Sequence, residues 1–240
     1  MLAIIGGSGF YYLGRSIDKI DVITPFGHAV VHKAKLHNNE EILFLPRHGE
    51  AHAIPPHKVN YRANIYALKK LGTRAIFATY AAGILNDYKI GDLILLEDFI
   101  GVFSPYQSFF NDFSAGMKHV EMNEPFDSDL QNSIMEIASV NKIKIKRKGI
   151  IVTTQGPRFE TKAEVAFLKK TGANLVNMTS SYEISLAKEA EIPFAALAIA
   201  TNFGAGLTKK APNTEEVLEQ TNKARDKVNV IVNGLVDAVE

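Results

Sequence analysis

Leu2-Ala3-Ile4-Ile5-Gly6-Gly7-Ser8-Gly9 opens the 240-residue chain with an apolar run and a glycine-rich run. Four apolar residues bounded by glycines read as a buried strand entering a tight loop. Further apolar strand candidates follow at Ala75 to Ala82, Leu93 to Ile100, Gly149 to Thr153, Leu175 to Met178 and Phe194 to Ala200. Helical stretches alternate with them, so the spacing predicts an α/β fold in which helices flank a mixed, largely parallel central sheet. Near the amino end, Ala29 to Leu36 and Glu41 to Leu45 flank the polar His37-Asn38-Asn39-Glu40, the pattern of a β-hairpin. From Val59 the period changes: Tyr61, Ile65, Leu68 and Leu71 share a helical face that Gly72 ends. A long last helix carries Val217, Thr221, Ala224, Val228, Ile231 and Leu235 as its stripe, with Asn213 and Glu216 spaced as in a capping box.

Nothing divides this pattern: the sequence has no internal repeat, low-complexity tract or linker-like stretch, so residues 1–240 are expected to form one domain. A chain of this length buries roughly three quarters of its unfolded surface. Its 46% hydrophobic and 22% charged residues exclude global disorder. With 27 Lys+Arg against 26 Asp+Glu, the net charge of +1 creates no field that would recruit nucleic acid. The densest basic run, Lys142 to Lys148, alternates with Ile over most of its length and reads as a strand with one solvated face. There is no cysteine, hence no disulfide, thiolate nucleophile or cysteine metal site. No apolar run approaches the ~18 residues of a membrane span, and no secretory leader pattern opens the chain, so a cytoplasmic location is expected.

Five stretches carry groups suited to chemistry, each with a plainer reading beside it. Gly6, Gly7 and Gly9 with the Ser8 hydroxyl fit an anion cradle or a simple structural turn; the Rossmann spacing fails at Tyr12 and no P-loop Lys-Ser/Thr pair follows. In Pro46-Arg47-His48-Gly49, Arg47 fits a fork for two phosphate oxygens or a surface ion pair, and His48 a ligand contact or a packed imidazole. His48, His52 and His57 lack the carboxylate spacing that favours zinc. In Gln155-Gly156-Pro157-Arg158-Phe159-Glu160-Thr161, Phe159 fits a ring stacked on a planar ligand or a hydrophobic plug, with Arg158 and Glu160 free to pair at the surface. Asn177-Met178-Thr179-Ser180-Ser181-Tyr182-Glu183 ends a strand ahead of a helix that Ser180 or Ser181 would cap. Asn202, in Thr201-Asn202-Phe203-Gly204-Ala205-Gly206, stands at the lip of another loop, facing a ligand or satisfying a turn. Phe103 to Gly116 reads as an irregular excursion, an active-site loop or a subunit contact.

Taken in order, Ile4 to Gly9, Pro46 to Gly49, Val59-Asn60-Tyr61-Arg62-Ala63-Asn64, Gln155 to Thr161, Asn177-Met178-Thr179 and Leu186-Ala187-Lys188-Glu189 resemble the purine nucleoside and 5′-methylthioadenosine phosphorylases, the trimeric nucleoside phosphorylases. The resemblance spans residues 4 to about 206. It implies phosphorolysis, in which inorganic phosphate attacks C1′ of a purine nucleoside and releases the free base and a ribose 1-phosphate. By resemblance Ser8, Arg47, His48 and Thr179 hold phosphate, Met178 lies against the ribose, and Phe159 stacks on the base. Arg47, His48 and Asn202 would carry the catalytic roles, and Gly204 would belong to the base loop. His52 matches a position near the 5′ end, His119 a residue lent by a neighbouring subunit, and Val217 or Thr214 would line the methylthio side. No metal or organic cofactor is implied, phosphate being a co-substrate. A homotrimer or dimer of trimers is expected, with no nucleic acid or membrane partner.

The sequence departs from the methylthioadenosine branch at two places. That branch carries Thr-Asp-x-Asp where this chain reads Thr201-Asn202-Phe203-Gly204. A carboxylate only accepts, which suits a 6-amino group; an amide both donates to O6 and accepts from a proton on N7. The Asn-x-x-Ala-Gly arrangement is similar to the methylthioinosine phosphorylase branch, so a 6-oxopurine nucleoside is expected: methylthioinosine, or inosine or guanosine. A methylthioadenosine phosphorylase and a non-catalytic nucleoside or phosphate sensor are the competing readings; a dinucleotide-dependent oxidoreductase lacks its sixth-position glycine. The second departure is Tyr80, in place of a small hydroxyl residue near phosphate and ribose.

Overall fold

The computed structural model describes residues 1–10, 15–36, 39–114 and 116–239. The expected loop position Tyr12, the hairpin residues His37 and Asn38, and Ala115 of the aromatic excursion lie outside the described residues.

The strands are β1 (Leu2–Gly6), β2 (Arg15–Thr24), β3 (Gly27–Lys35), β4 (Glu41–Pro46), β5 (Ala75–Ile84), β6 (Leu93–Ile100), β7 (Ile145–Thr153), β8 (Leu175–Asn177) and β9 (Phe194–Phe203). The helices are α1 (Tyr61–Lys70), α2 (Ser128–Val140), α3 (Lys162–Lys170), α4 (Ser180–Glu189) and α5 (Thr214–Val239), with a single 3-10 turn at Pro56–Lys58. All strands join one sheet in the order β2-β3-β4-β1-β5-β8-β7-β6-β9, and β9 returns to pair with β5. The pairings β1–β4, β1–β5, β5–β9, β6–β7 and β7–β8 are parallel, and β2–β3, β3–β4, β5–β8 and β6–β9 antiparallel. The sheet is thus mixed, as the alternation of elements implies, and five of its strands close into a ring that begins and ends at β5.

Both faces of this sheet are covered, which is why its inner strands read as continuous apolar runs. Ala3 and Ile5 of β1 pack with Ile65 and Leu68 of α1 and Ile184 and Leu186 of α4. Leu2 and Ile4 point the other way, to Ile134 of α2 and Val228, Ile231 and Leu235 of α5. Helix ends follow local chemistry. Asn60 caps α1 by accepting from Ala63 N at 3.0 Å, and Gly72 takes the left-handed turn at φ +73° that ends it. Asn213 accepts from Glu216 N at 2.8 Å at the head of α5.

One strand is added and two expectations change. β2 is a strand that apolar runs could not reveal: within Arg15–Thr24 only Val22 and Thr24 are buried, and the strand is held by antiparallel pairing to β3. In the basic run, Lys142 sits at φ +56° in the turn after α2, so the solvated strand begins only at Ile145. The residue at the N-cap of α4 is Thr179; Ser180 and Ser181 are already helical.

Candidate active site

Parallel pairing of β1 with β4 brings Gly6 beside Pro46, so the loops that follow, Gly7-Ser8-Gly9 and Arg47-His48, emerge together at the carboxyl ends of adjacent strands. The glycine loop is held from both sides. Arg47 N donates to Gly6 O at 2.9 Å and Phe10 N to Gly7 O at 3.0 Å. Behind it, Arg225 Nη2 of α5 donates to Gly9 O at 2.8 Å, and Gly9 at φ +82° lies so close to Thr221 that a Cβ there would overlap its side chain.

The loop borders a cavity of about 510 Å³. Of the residues expected to hold phosphate, Ser8, Arg47, His48 and Thr179 all line it, as do His52, Phe159, Met178 and Asn202. Thr214 and Val217 join from the first turn of α5, and Ile54, Pro55 and Pro56 give an apolar wall. Gly204 lies outside the lining, and so does His119, which is expected to serve a neighbouring subunit's site. Gly204 N donates to Ile84 O at 2.9 Å. His119 lies against Phe113, ring centroids 5.7 Å apart, in a second cavity of about 860 Å³. Among the described residues no His, Asp and Glu cluster of metal-ligand type occurs.

The plainer reading of Arg47, a surface ion pair, is corrected. Its side chain is 2% exposed, and the fork meets Glu183: Nε to Oε1 at 2.6 Å and Nη2 to Oε2 at 2.8 Å. Nη1 donates to Thr79 O at 3.1 Å. A guanidinium has five N–H groups, so one on each Nη remains beyond these bonds for an anion. Burial opposes the charge of Arg47, but the field and hydrogen bonds of Glu183 hold it firmly protonated. Next to it, burial, then Arg47, lowers His48 to about 4. The neutral ring places its proton on Nδ1, because Nδ1 lies 2.8 Å from Ile54 O and a carbonyl only accepts. Nε2 is therefore an acceptor. His52, with its ring 4.6 Å from that of His48, is lowered by burial and by Arg47.

On the other side of the cavity, the pairing of β5 with β9 shifts between Ala82 and Gly83, skipping Thr201. Adjacent residues of a regular strand face opposite ways; at this bulge both Thr201 and Asn202 line the cavity. The Asn202 amide is oriented by its neighbours: Oδ1 accepts from Thr201 Oγ1 at 2.8 Å, and Nδ2 donates to Phe203 O at 3.1 Å. One N–H and one lone pair of the amide remain.

Glu160 is the group that reading the sequence missed. Arg158 pairs instead with Glu164, through Nη1 and Nη2 at 2.7 Å each. Glu160 is 9% exposed, lines the cavity beside Phe159, and accepts from Thr154 Oγ1 at 2.6 Å. The signal available was its place immediately after Phe159. Glu183 and Asn177 were also without an assigned role. Asn177 Oδ1 accepts from Ser180 Oγ at 2.8 Å and fixes the turn from β8 into α4 that presents Thr179, whose side chain makes no capping bond.

A mixed α/β sheet that gathers a glycine loop, a buried arginine, an aromatic ring, an amide and a carboxylate at one cavity defines a protein of the nucleoside phosphorylase type. The chain belongs to the phosphorylase superfamily, whose family model matches residues 1–237. It is 40% identical to a probable 6-oxopurine nucleoside phosphorylase of Moorella thermoacetica, over 91% of this chain and 85% of that one. It is 37% identical to a probable S-methyl-5′-thioinosine phosphorylase of Methanocaldococcus jannaschii, over 99% and 92%. Among solved structures, the methylthioadenosine phosphorylase of Schistosoma mansoni in complex with adenine superimposes with a TM-score of 0.90 at 32% identity, covering 99% of this chain and 91% of that one.

Proposed function

We propose that this chain is a purine nucleoside phosphorylase, a pentosyltransferase that cleaves a 6-oxopurine nucleoside with inorganic phosphate. Methylthioinosine is the preferred reading of the substrate, with inosine and guanosine as alternatives. The observation that carries the base choice is the facing of Asn202 and Glu160 into one cavity beside Phe159. A 6-oxopurine presents an acceptor at O6 and a donor at N1; the amide supplies a donor and the carboxylate an acceptor. A 6-aminopurine would meet both with the wrong partner, which costs orders of magnitude in rate. The apolar Ile54, Pro55, Pro56 and Val217 fit a methylthio group at the 5′ end better than a hydroxyl.

In this reading Ser8, Thr179, the glycine-loop amides and the remaining Arg47 N–H groups hold phosphate below C1′. His48 Nε2 accepts from a protonated phosphate oxygen or a sugar hydroxyl. A phosphate oxygen bonds to C1′ as the C1′–N9 bond breaks, and the anion stabilises the cationic sugar between them. The electron pair moves into the purine, which takes up a proton from solvent at N7, and Asn202 Oδ1 accepts a hydrogen bond from that N7–H. No metal or organic cofactor takes part, and residues 1–240 act as one domain.

The second cavity supports a homotrimer or dimer of trimers. Val102, Tyr106, Phe113 and Met117 are exposed there or close by, and His119 would reach a neighbour's sugar pocket. Among the described residues no helix is long and apolar enough to cross a membrane, which fits a cytoplasmic enzyme.

One substrate panel tests this reading. Free hypoxanthine released from methylthioinosine only when phosphate is present, and faster than adenine from methylthioadenosine, is the expected result. Release without phosphate would mean hydrolysis, and binding without release a sensor.

A further inference from the structure

Tyr80 lines the cavity yet is 1% exposed, an unusual place for a large polar side chain. Its space is prepared by small neighbours. Ala78 and Ala82 stand two residues away on the same face of β5, and Ala198 is its partner across the β5–β9 pairing. The ring lies against the guanidinium of Arg47, with Cζ 4.6 Å from the ring centroid. The hydroxyl donates to Glu183 Oε2 at 2.8 Å, the same oxygen that accepts from Arg47 Nη2.

We propose that Tyr80 is a positioning residue for the phosphate subsite: its hydroxyl pins Glu183 and its ring covers Arg47, so that the guanidinium is held with its remaining N–H groups toward the anion. The inference rests on the phosphorolysis reading. Burial, then Glu183, keeps the phenol far above its ordinary pKa, so it remains a donor throughout the working range. Without that donor, Glu183 Oε2 has one partner fewer, and the ion pair can rotate about the Nε–Oε1 bond. With a smaller side chain, the guanidinium also loses the surface beneath it. A rigid anion site binds more tightly than one that must be ordered on binding, because the ordering cost has already been met in folding.

The test uses the full chain and a split of kinetic constants. Wild-type enzyme must first show phosphate-dependent release of base; failure there removes the phosphorolysis reading itself. Given that activity, Tyr80→Phe keeps the ring and removes the donor. The phosphate KM is expected to rise about five- to tenfold, within the range for the loss of one typical net hydrogen bond, with nucleoside KM and kcat at saturating phosphate within about twofold. Phosphate should also raise the thermal midpoint of the variant less than that of wild type. A phosphate KM unchanged in Tyr80→Phe, or equal losses in both KM values and kcat, would reduce Tyr80 to a space-filling wall. Should that variant not fold, Tyr80→Gln against Tyr80→Leu makes the same comparison of donor with no donor. A phosphate KM at least about threefold lower for Gln is expected, and equal values overturn the proposal.

Discussion

Arg47 and Glu183 stand 136 residues apart in sequence and meet side by side at 2.6 and 2.8 Å, each with only 2% of its side chain exposed. One follows β4 and the other lies in α4, so the pair ties the loop after β4 to the helix headed by Thr179. A buried pair of this kind adds little net stability over an apolar pair, but removing one partner strands a charge. Glu183→Ala is therefore expected to cost about 3–5 kcal/mol in urea unfolding. Glu183→Gln, which keeps the shape and hydrogen-bonding oxygen, should cost less. Equal stability of all three proteins would show that the pair is not formed in solution.

Asn202→Asp tests base choice. The new carboxylate would face Phe203 O, where the amide now donates at 3.1 Å, so a loss of about 1–3 kcal/mol in stability is expected. In the variant that folds, the ratio of kcat/KM for inosine to that for adenosine should fall by about two orders of magnitude. An unchanged ratio removes the amide from the account of discrimination.

Glu160→Gln makes a related prediction from the opposite edge of the base. Thr154 Oγ1 already donates to Oε1 at 2.6 Å, so a glutamine keeps its oxygen there and turns its NH₂ into the cavity. That donor opposes the N1–H of a 6-oxopurine and suits the bare N1 of adenine. Rates on methylthioinosine should fall about 10²-fold while those on methylthioadenosine hold or rise. Equal losses on both would make Glu160 a structural group.

How much of this was legible in the sequence depends on whether a residue's role is set locally. Leu2 to Ile5 and Leu93 to Leu96 are buried on both faces, so composition alone marks them as strands. β2 is an exposed edge whose position comes from pairing with β3, and Ile23 there is 78% exposed, so no apolar pattern marks it. The carboxyl-end loops expected to form the site do converge, because strand order places them together. Partner choice was illegible: Arg47 could not be matched to Glu183, nor Glu160 separated from Arg158, without the fold that decides which carboxylate is near. The bulge that turns both Thr201 and Asn202 inward is equally a property of the β5–β9 register.

Gly7→Ala separates folding from function at the anion loop. Gly7 is not in a left-handed conformation, so an alanine there has no backbone strain. Its Cβ would, however, overlap Arg47 Nη1. The guanidinium must shift, and misplacement of a positioning group by about 1 Å is enough for a 10²-fold loss. Phosphate KM is expected to rise at least about tenfold, with a thermal midpoint lowered only modestly. If phosphate KM is unchanged, the close approach of Gly7 to Arg47 has no part in anion binding.

His48 makes stability depend on pH in a defined window. Burial, then Arg47, lowers it to about 4 in the folded protein, against an ordinary histidine value of 6.5. Between those values the unfolded chain carries a proton that the folded chain refuses, so unfolding is favoured as pH falls. The stability attached to the neutral, buried ring is fully present above 6.5, declines through the window, and is lost below about 4. The difference amounts to about 3 kcal/mol, from roughly 1.4 kcal/mol for each pH unit. His48→Gln does not titrate, and its amide NH₂ can still donate to Ile54 O. Urea unfolding of the two proteins from pH 7 to pH 4 should therefore give curves that converge by about that amount. The other acidic groups cancel in this difference. Parallel curves would mean that His48 accepts its proton as readily in the folded protein as in the unfolded chain, and that the subsite holds an imidazolium below its ordinary value of 6.5.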